Sequence, residues 1–81
     1  MKIVIVGPPQ SGKTTLLHKI IRTNNHVTFN LILDGYEGLG AILSNIPPNT
    51  NFILTTQNIV NIPDTIKNCS LILDVQTIRG V

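Results

Sequence analysis

The chain has 81 residues, of which 42% are hydrophobic, and its formal net charge is +2 at pH 7. A chain of this length buries only about 60% of the surface that it exposes when unfolded, which predicts one small domain over residues 1–81. Its small surplus of basic residues does not by itself argue for nucleic-acid binding. One cysteine excludes an intramolecular disulfide and no apolar run approaches the ~20 residues that span a bilayer, so we expect a cytoplasmic protein.

The first predicted elements are a strand and a helix separated by a glycine-rich loop. Residues 3–6 form a β-branched run that is typical of a strand buried on both faces of a parallel sheet. A helix is predicted to begin at Gly12 or Lys13, because apolar residues then recur at helical spacing. The polar residues 23–25 are predicted to end it.

Three more strands and two short helices are predicted further along the chain. The strands are residues 29–33, 52–56 and 71–74, of which 29–33 is expected to be buried, and the helices are residues 37–44 and 64–68. Strands that alternate with helices imply a parallel sheet with right-handed crossovers. We expect the third strand of the sequence to lie between the second and the first, and the fourth to lie beyond the first.

The loop after the first strand has the spacing of a P-loop. We expect its glycines to turn the backbone so that N–H groups face a phosphate, and the following helix N-terminus to add positive charge. Lys13 is predicted to reach the β- and γ-phosphates of ATP, and the Thr14 hydroxyl to bind Mg²⁺. The alternative is a glycine turn with an incidental lysine. The residues predicted to contact the nucleotide are Gly7, Pro8, Pro9, Gln10, Ser11, Gly12, Lys13, Thr14 and Thr15.

This motif and the order of elements together predict the fold class. We expect a small three-layer α/β P-loop domain with about four parallel strands and helices on both faces. The first helix is predicted to cover one face of the sheet and the later short helices the other. Such a thin cover leaves apolar surface for a partner or for self-association.

An acidic residue at the tip of a neighbouring strand is needed to hold Mg²⁺ through water. Asp34 and Asp74 both end predicted strands. We favour Asp34, because a further strand with a polar tip follows it, and interpret Asp74 as a turn or helix cap. Thr14 and Asp34 are therefore the predicted metal-binding residues.

Two residues besides Lys13 are predicted to take part in hydrolysis by placing the attacking water. Glu37 follows Asp34 closely, although it is also explained as a carboxylate in the first turn of a helix. Gln57 or Asn58 would sense the γ-phosphate if their strand lies between the first two strands of the sequence. Ordinary turn chemistry is the alternative for both.

Several other residues carry weaker expectations. Tyr36 is a candidate for stacking on a base or a loop aromatic without such a role, and Cys69 is expected to be a small buried hydrophobe. His18 and His26 have no partner at metal-ligand spacing. Arg79, in the tail, is the one arginine that is a candidate to reach the γ-phosphate of a nucleotide on another subunit.

The P-loop wording Gly-Pro-Pro-x-Ser-Gly-Lys-Thr-Thr resembles that of AAA+ ATPases. The stretch from residue 39 to 73 further resembles the middle of clamp-loader subunits, the AAA+ proteins that load sliding clamps in DNA replication. The resemblance implies ATP with Mg²⁺ as the ligand and a nucleotide-controlled partner. The matching residues read Ala41-Ile42-Leu43, Pro47-Pro48, Phe52-Ile53-Leu54-Thr55-Thr56, Ile62-Pro63-Asp64-Thr65-Ile66 and Cys69.

The chain departs from that family at the residues that support turnover. Asp34-Gly35 stands where the family has Asp-Glu, so the usual catalytic glutamate is missing. Lys67-Asn68-Cys69 stands where the family has Ser-Arg-Cys, so the arginine finger is missing, and Gln57 replaces or displaces the sensor asparagine. One strand–helix unit of the family is also absent. The resemblance therefore implies nucleotide binding with weak or absent hydrolysis.

Three functions follow from these observations. The leading one is an ATP- and Mg²⁺-binding AAA+-like module whose nucleotide state controls its interaction with a protein partner or a second copy, in DNA replication or processing. The second is an oligomeric, DNA-stimulated packaging or loading ATPase, because Gln57 after Thr-Thr is similar to packaging ATPases; the lack of an evident arginine finger or basic patch counts against it. The third is a small nucleotide kinase, which would need an Arg-rich lid.

Overall fold

The computed structural model describes residues 1–37 and 46–75. Within these residues, no helix is long and apolar enough to cross a membrane. Four strands and two α-helices, with one 3₁₀ turn, make up the regular structure. In chain order they are β1 (Lys2–Val6), α1 (Lys13–Thr23), β2 (Leu31–Leu33), β3 (Phe52–Thr56), the 3₁₀ turn (Ile59–Asn61), α2 (Asp64–Lys67) and β4 (Leu71–Asp74).

The four strands form one parallel sheet in the order β2-β3-β1-β4. This order confirms the prediction, including the position of β3 between β1 and β2. Val6 pairs with Thr56 of β3 on one side and with Asp74 of β4 on the other. The carboxyl ends of the strands therefore meet at one edge of the sheet, where ligands bind in open α/β folds.

The core lies on both faces of the sheet, because side chains alternate along each strand. On one face, Ile5 and Ile53 pack with Leu17 of α1 in one buried cluster. On the other face, Val4 and Leu54 are covered in a second cluster. The residues that cover this second face are Tyr36, Ile62 and Ile66. The result is the predicted three-layer arrangement with a thin outer layer.

The strand predicted over residues 29–33 is shorter and less buried than expected. β2 covers Leu31–Leu33 only, and the side chain of Ile32 is 49% exposed. β2 is an edge strand that pairs with β3 alone, so α1 does not extend far enough to cover it. The bounds of β3 and β4 agree with the prediction.

Tyr36 is 9% exposed within the cluster of Val4 and Leu54, and this packing favours the alternative in which Tyr36 has no base-stacking role. The predicted environment of Cys69 is wrong. Cys69 is exposed rather than buried, because it follows the short helix α2 at the open side of that layer. The helix predicted over residues 37–44 lies, from residue 38 onward, outside the described residues, as does Arg79.

Candidate functional site

The glycine-rich loop leaves the central strand β1 and turns into the first turn of α1. Its first amide, Gly7 N, donates to the Thr56 carbonyl at 3.1 Å, which extends the pairing of β1 with β3 by one residue. Gln10 and Gly12 have φ angles of 60° and 91°, in the left-handed region. These two residues turn the chain back, so that the loop wraps around the N-terminus of α1.

Close packing explains why glycine is required at position 7. A Cβ atom on Gly7 would lie 2.7 Å from Ser11 Oγ and 3.3 Å from the Val75 Cβ. Among the described residues, Ser11 Oγ is a buried side-chain oxygen that has no hydrogen-bond partner. A buried hydroxyl without a partner is costly, and a ligand on the loop is one source of the missing hydrogen bond.

The N-terminus of α1 is open to an anion. Its N-cap, Gly12, supplies no side-chain hydrogen bond, and the first turn contains no acidic residue. The first amides of an α-helix have no partner within the helix, and they carry its partial positive charge. Residues 10–15 line a shallow cavity with a volume of about 250 Å³ at this point. A phosphate group therefore fits both the charge and the free donors.

Lys13 lies within this loop. Its ammonium Nζ donates to the Pro8 carbonyl at 2.6 Å and so links the start of the loop to the start of the helix. A lysine ammonium is a compact cation with three donors, so it can bind phosphate oxygens as a point charge. The predicted role of Lys13 in phosphate binding is compatible with this position.

The structure brings together the two residues predicted to bind the metal. Asp34 directly follows β2, and its Oδ2 accepts a hydrogen bond from Thr14 Oγ1 at 2.9 Å. Hydroxyl and carboxylate oxygens are the ligand types that Mg²⁺ prefers, and Mg²⁺ usually completes its shell with substrate phosphates and water. The pair therefore fits a magnesium–nucleotide complex. In the described residues, no group of three or more His, Cys, Asp or Glu side chains could hold a metal ion alone.

Asp74, the other acidic strand end, lies on the opposite side of β1. It ends β4, the far edge of the sheet, whereas Asp34 follows β2 at the near edge. The hydrogen bond from Thr14 goes to Asp34. The geometry therefore favours Asp34 over Asp74 as the partner of the P-loop threonine.

The residues predicted to place a water lie at the same edge of the sheet. Gln57 directly follows β3, which does lie between β1 and β2, and its side chain is exposed. The side chain of Asn58 stabilises the following 3₁₀ turn, because its Oδ1 accepts a hydrogen bond from Val60 N at 3.1 Å. Glu37 is exposed in the segment after Asp34.

Thr55 was not predicted as a site residue. It is fully buried in β3, and its Oγ1 donates to Asp34 Oδ1 at 2.8 Å. The same Oγ1 accepts from Gly35 N at 2.7 Å. The sequence signal was a hydroxyl residue within an apolar strand, but its partner depends on the register between β2 and β3 and on the direction of the side chains, which the predicted strand order does not specify.

A basic surface on α1 also escaped prediction. Residues 1–33 contain no Asp or Glu, although they contain Lys19 and Arg22. Both side chains are exposed on α1. Lys19 directly follows the exposed His18, Arg22 lies about one helical turn beyond it, and His26 just after the helix is also exposed. The modest net charge of the chain therefore conceals an uneven distribution.

The comparisons with known proteins found one curated relative. It is the Holliday junction branch migration complex subunit RuvB of Thermosipho melanesiensis, 47% identical over 47 residues. The match covers 54% of this chain and only 15% of the relative's length. No family model and no solved structure matches the chain. The similarity is confined to a segment, and it gives partial support to the resemblance to AAA+ P-loop ATPases.

Proposed function

We propose that this protein binds ATP together with Mg²⁺ and acts as an AAA+-like module with weak or absent hydrolysis. The observation that carries the proposal is the 2.9 Å hydrogen bond from Thr14 Oγ1 to Asp34 Oδ2 at the mouth of the P-loop. These residues are 20 apart in the sequence and belong to different elements. A hydroxyl and a carboxylate at this place are the protein ligands that P-loop proteins offer to magnesium.

The phosphates would be held by the loop and by the helix N-terminus. Lys13 would exchange its hydrogen bond to the Pro8 carbonyl for phosphate oxygens, and the open amides at the start of α1 would donate to them. Bound Mg²⁺ would neutralise part of the phosphate charge beside Thr14 and Asp34. ATP is proposed over GTP on the AAA+ resemblance alone.

Weak or absent hydrolysis is supported by the backbone at Gly35. This residue stands at the position of the family's glutamate, and its φ angle is 95°. L-residues other than glycine, asparagine and aspartate rarely adopt this conformation, so a glutamate would strain the turn that places Asp34. Glu37 and Gln57 remain the candidates for placing water, with Lys13 as the residue that would stabilise the phosphoryl charge.

The proposed biological role is a nucleotide-dependent interaction in DNA replication or processing. It rests on the clamp-loader resemblance and on the segment shared with a subunit of a Holliday junction branch migration complex. The partner would be a protein or a second copy of this chain, and the half-exposed edge residues Ile32 and Leu71 offer apolar surface for it. We propose a cytoplasmic location for this role.

A DNA-stimulated ATPase is the second candidate function. The observation that favours it is the exposed basic surface of α1, which carries Lys19 and Arg22 without an acidic neighbour in residues 1–33. Cations gathered on one face bind the phosphate backbone in a sequence-independent manner. A small nucleotide kinase remains a third candidate, which rests on the amino-acid sequence of the P-loop alone.

Calorimetric titration with ATP, in the presence and absence of Mg²⁺, tests the proposal. We expect Lys13→Ala to abolish measurable binding and Asp34→Asn to remove most of the gain in affinity that Mg²⁺ provides. Lys19→Ala and Asp64→Asn are matched controls, because both residues are exposed and lie outside the loop. Magnesium-dependent turnover is measured in parallel. Wild-type protein that binds no nucleotide would overturn the proposal. Fast ATP turnover by the wild-type protein that is lost in Lys13→Ala would show that the protein is an ATPase rather than a module with weak or absent hydrolysis.

A further inference from the structure

Strand β3 holds the carboxylate of Asp34 in one orientation. Thr55 Oγ1 donates to Asp34 Oδ1 at 2.8 Å and accepts from Gly35 N at 2.7 Å. A carboxylate only accepts and an amide N–H only donates, so these partners fix the direction of the hydroxyl proton. Thr55 is 0% exposed, which keeps water from competing for either hydrogen bond.

The two carboxylate oxygens of Asp34 accept hydrogen bonds from two different residues. Oδ1 is engaged by Thr55 and Oδ2 accepts from Thr14. Asp34 itself is exposed and follows a short edge strand, so its own element provides little restraint on the side chain. The restraint comes instead from β3, which is buried along its whole length.

We propose that Thr55 is a positioning residue that aims the Asp34 carboxylate at the magnesium–nucleotide site. The inference rests on the proposed function, because it concerns the gain in nucleotide affinity that Mg²⁺ provides. Groups that orient a metal ligand typically change metal affinity by about 10- to 100-fold when they are removed. The hydroxyl of Thr55 contacts neither the P-loop nor the helix N-terminus in its described hydrogen bonds, so phosphate binding without metal does not depend on it.

The neighbouring Thr56 provides a matched control. It is equally buried, but its hydroxyl bonds to Asn58 and Asn61 rather than to Asp34. Thr55→Val and Thr56→Val therefore remove the same group from adjacent positions of the same strand. Both are expected to lower the Tm, because both leave buried polar partners unpaired.

The decisive readout is the ratio of ATP affinity with Mg²⁺ to ATP affinity in EDTA, measured by calorimetry. We expect Thr55→Val to lower this ratio at least about 10-fold, with unchanged affinity in EDTA, and Thr56→Val to leave it unaltered. Thr55→Ser, which keeps the hydroxyl, is expected to restore it. Adding Thr55→Val to Asp34→Asn is expected to cause little further loss, because Thr55 acts through the carboxylate that Asp34→Asn has already removed.

The outcomes separate the two proposals. If Thr55→Val retains the wild-type ratio, or lowers affinity equally with and without Mg²⁺, the positioning role is wrong while nucleotide binding stands. Wild-type protein that binds no nucleotide overturns both. If Thr55→Val does not fold, Thr55→Cys replaces it, since its thiol is similar in size but a weak donor, and an unchanged ratio in that variant also contradicts the inference.

Discussion

At the scale of single residues, Gly35 connects backbone conformation to the proposed lack of turnover. Its amide donates to Thr55 and its φ angle is 95°, so the turn after Asp34 depends on a left-handed residue. A glutamate at this position would supply the carboxylate that the AAA+ resemblance lacks. The same glutamate would also disturb the carboxylate of Asp34 by straining that turn.

We therefore predict that Gly35→Glu destabilises the protein without creating an ATPase. A non-glycine residue in this region costs about 1–2 kcal/mol, which urea denaturation would detect as a lower midpoint with an unchanged slope. Gly35→Asn is the control, because asparagine adopts left-handed conformations more readily. Magnesium-dependent turnover that rises in Gly35→Glu while stability is kept would contradict the prediction.

At the scale of elements, Asn51 joins the strands at the edge opposite the P-loop. Its Nδ2 donates to the Thr28 carbonyl at 3.1 Å, and its backbone N donates to Asn30 Oδ1 at 3.1 Å. Its carbonyl accepts from Asn30 N and Leu31 N. One asparagine thus fixes the start of the edge strand β2 against β3, although β2 has only three paired residues.

We predict that Asn51→Ala lowers the free energy of unfolding by about 1 kcal/mol, since its side chain no longer donates to the Thr28 carbonyl or accepts from the Met1 ammonium. Because β2 carries Asp34 at its other end, the magnesium-dependent gain in ATP affinity should fall as well. Urea denaturation and calorimetry measure the two effects. Asn49→Ala is the control, since Asn49 is an exposed turn residue. Equal stability of the two variants would show that the side chain of Asn51 does not hold β2.

The predictions from sequence succeeded where an element is specified by local pattern. Short apolar runs predicted β1 and β3, and apolar residues at helical spacing after the glycine loop predicted α1. The strand order followed from P-loop topology. The burial of β2 and of Cys69 was predicted wrongly, because both depend on how far neighbouring layers extend. Thr55 was missed for a related reason, as a hydroxyl shows its partner only once two strands are paired.

At the scale of the whole molecule, the acidic residues are confined to one part of the chain. All acidic residues follow residue 33, whereas Lys19 and Arg22 are exposed on α1. Lys67, by contrast, is paired with Asp64 at 2.9 Å. If α1 contacts a DNA backbone, Lys19 and Arg22 should release counterions on binding, while the paired Lys67 should not.

We predict weak, salt-dependent binding of duplex DNA, with a dissociation constant of roughly 10⁻⁴–10⁻⁶ M, that depends on α1. Lys19→Gln combined with Arg22→Gln should reduce the slope of log K against log salt by about 2, while Lys67→Gln should leave it nearly unchanged. Fluorescence anisotropy of a labelled duplex over a salt series measures these slopes. Because the substitutions lie outside the P-loop, ATP affinity should remain at the wild-type value, so any loss of DNA-stimulated turnover would be due to DNA contact. Identical slopes in all three proteins would remove the basis for the DNA-stimulated ATPase and leave the nucleotide-controlled module.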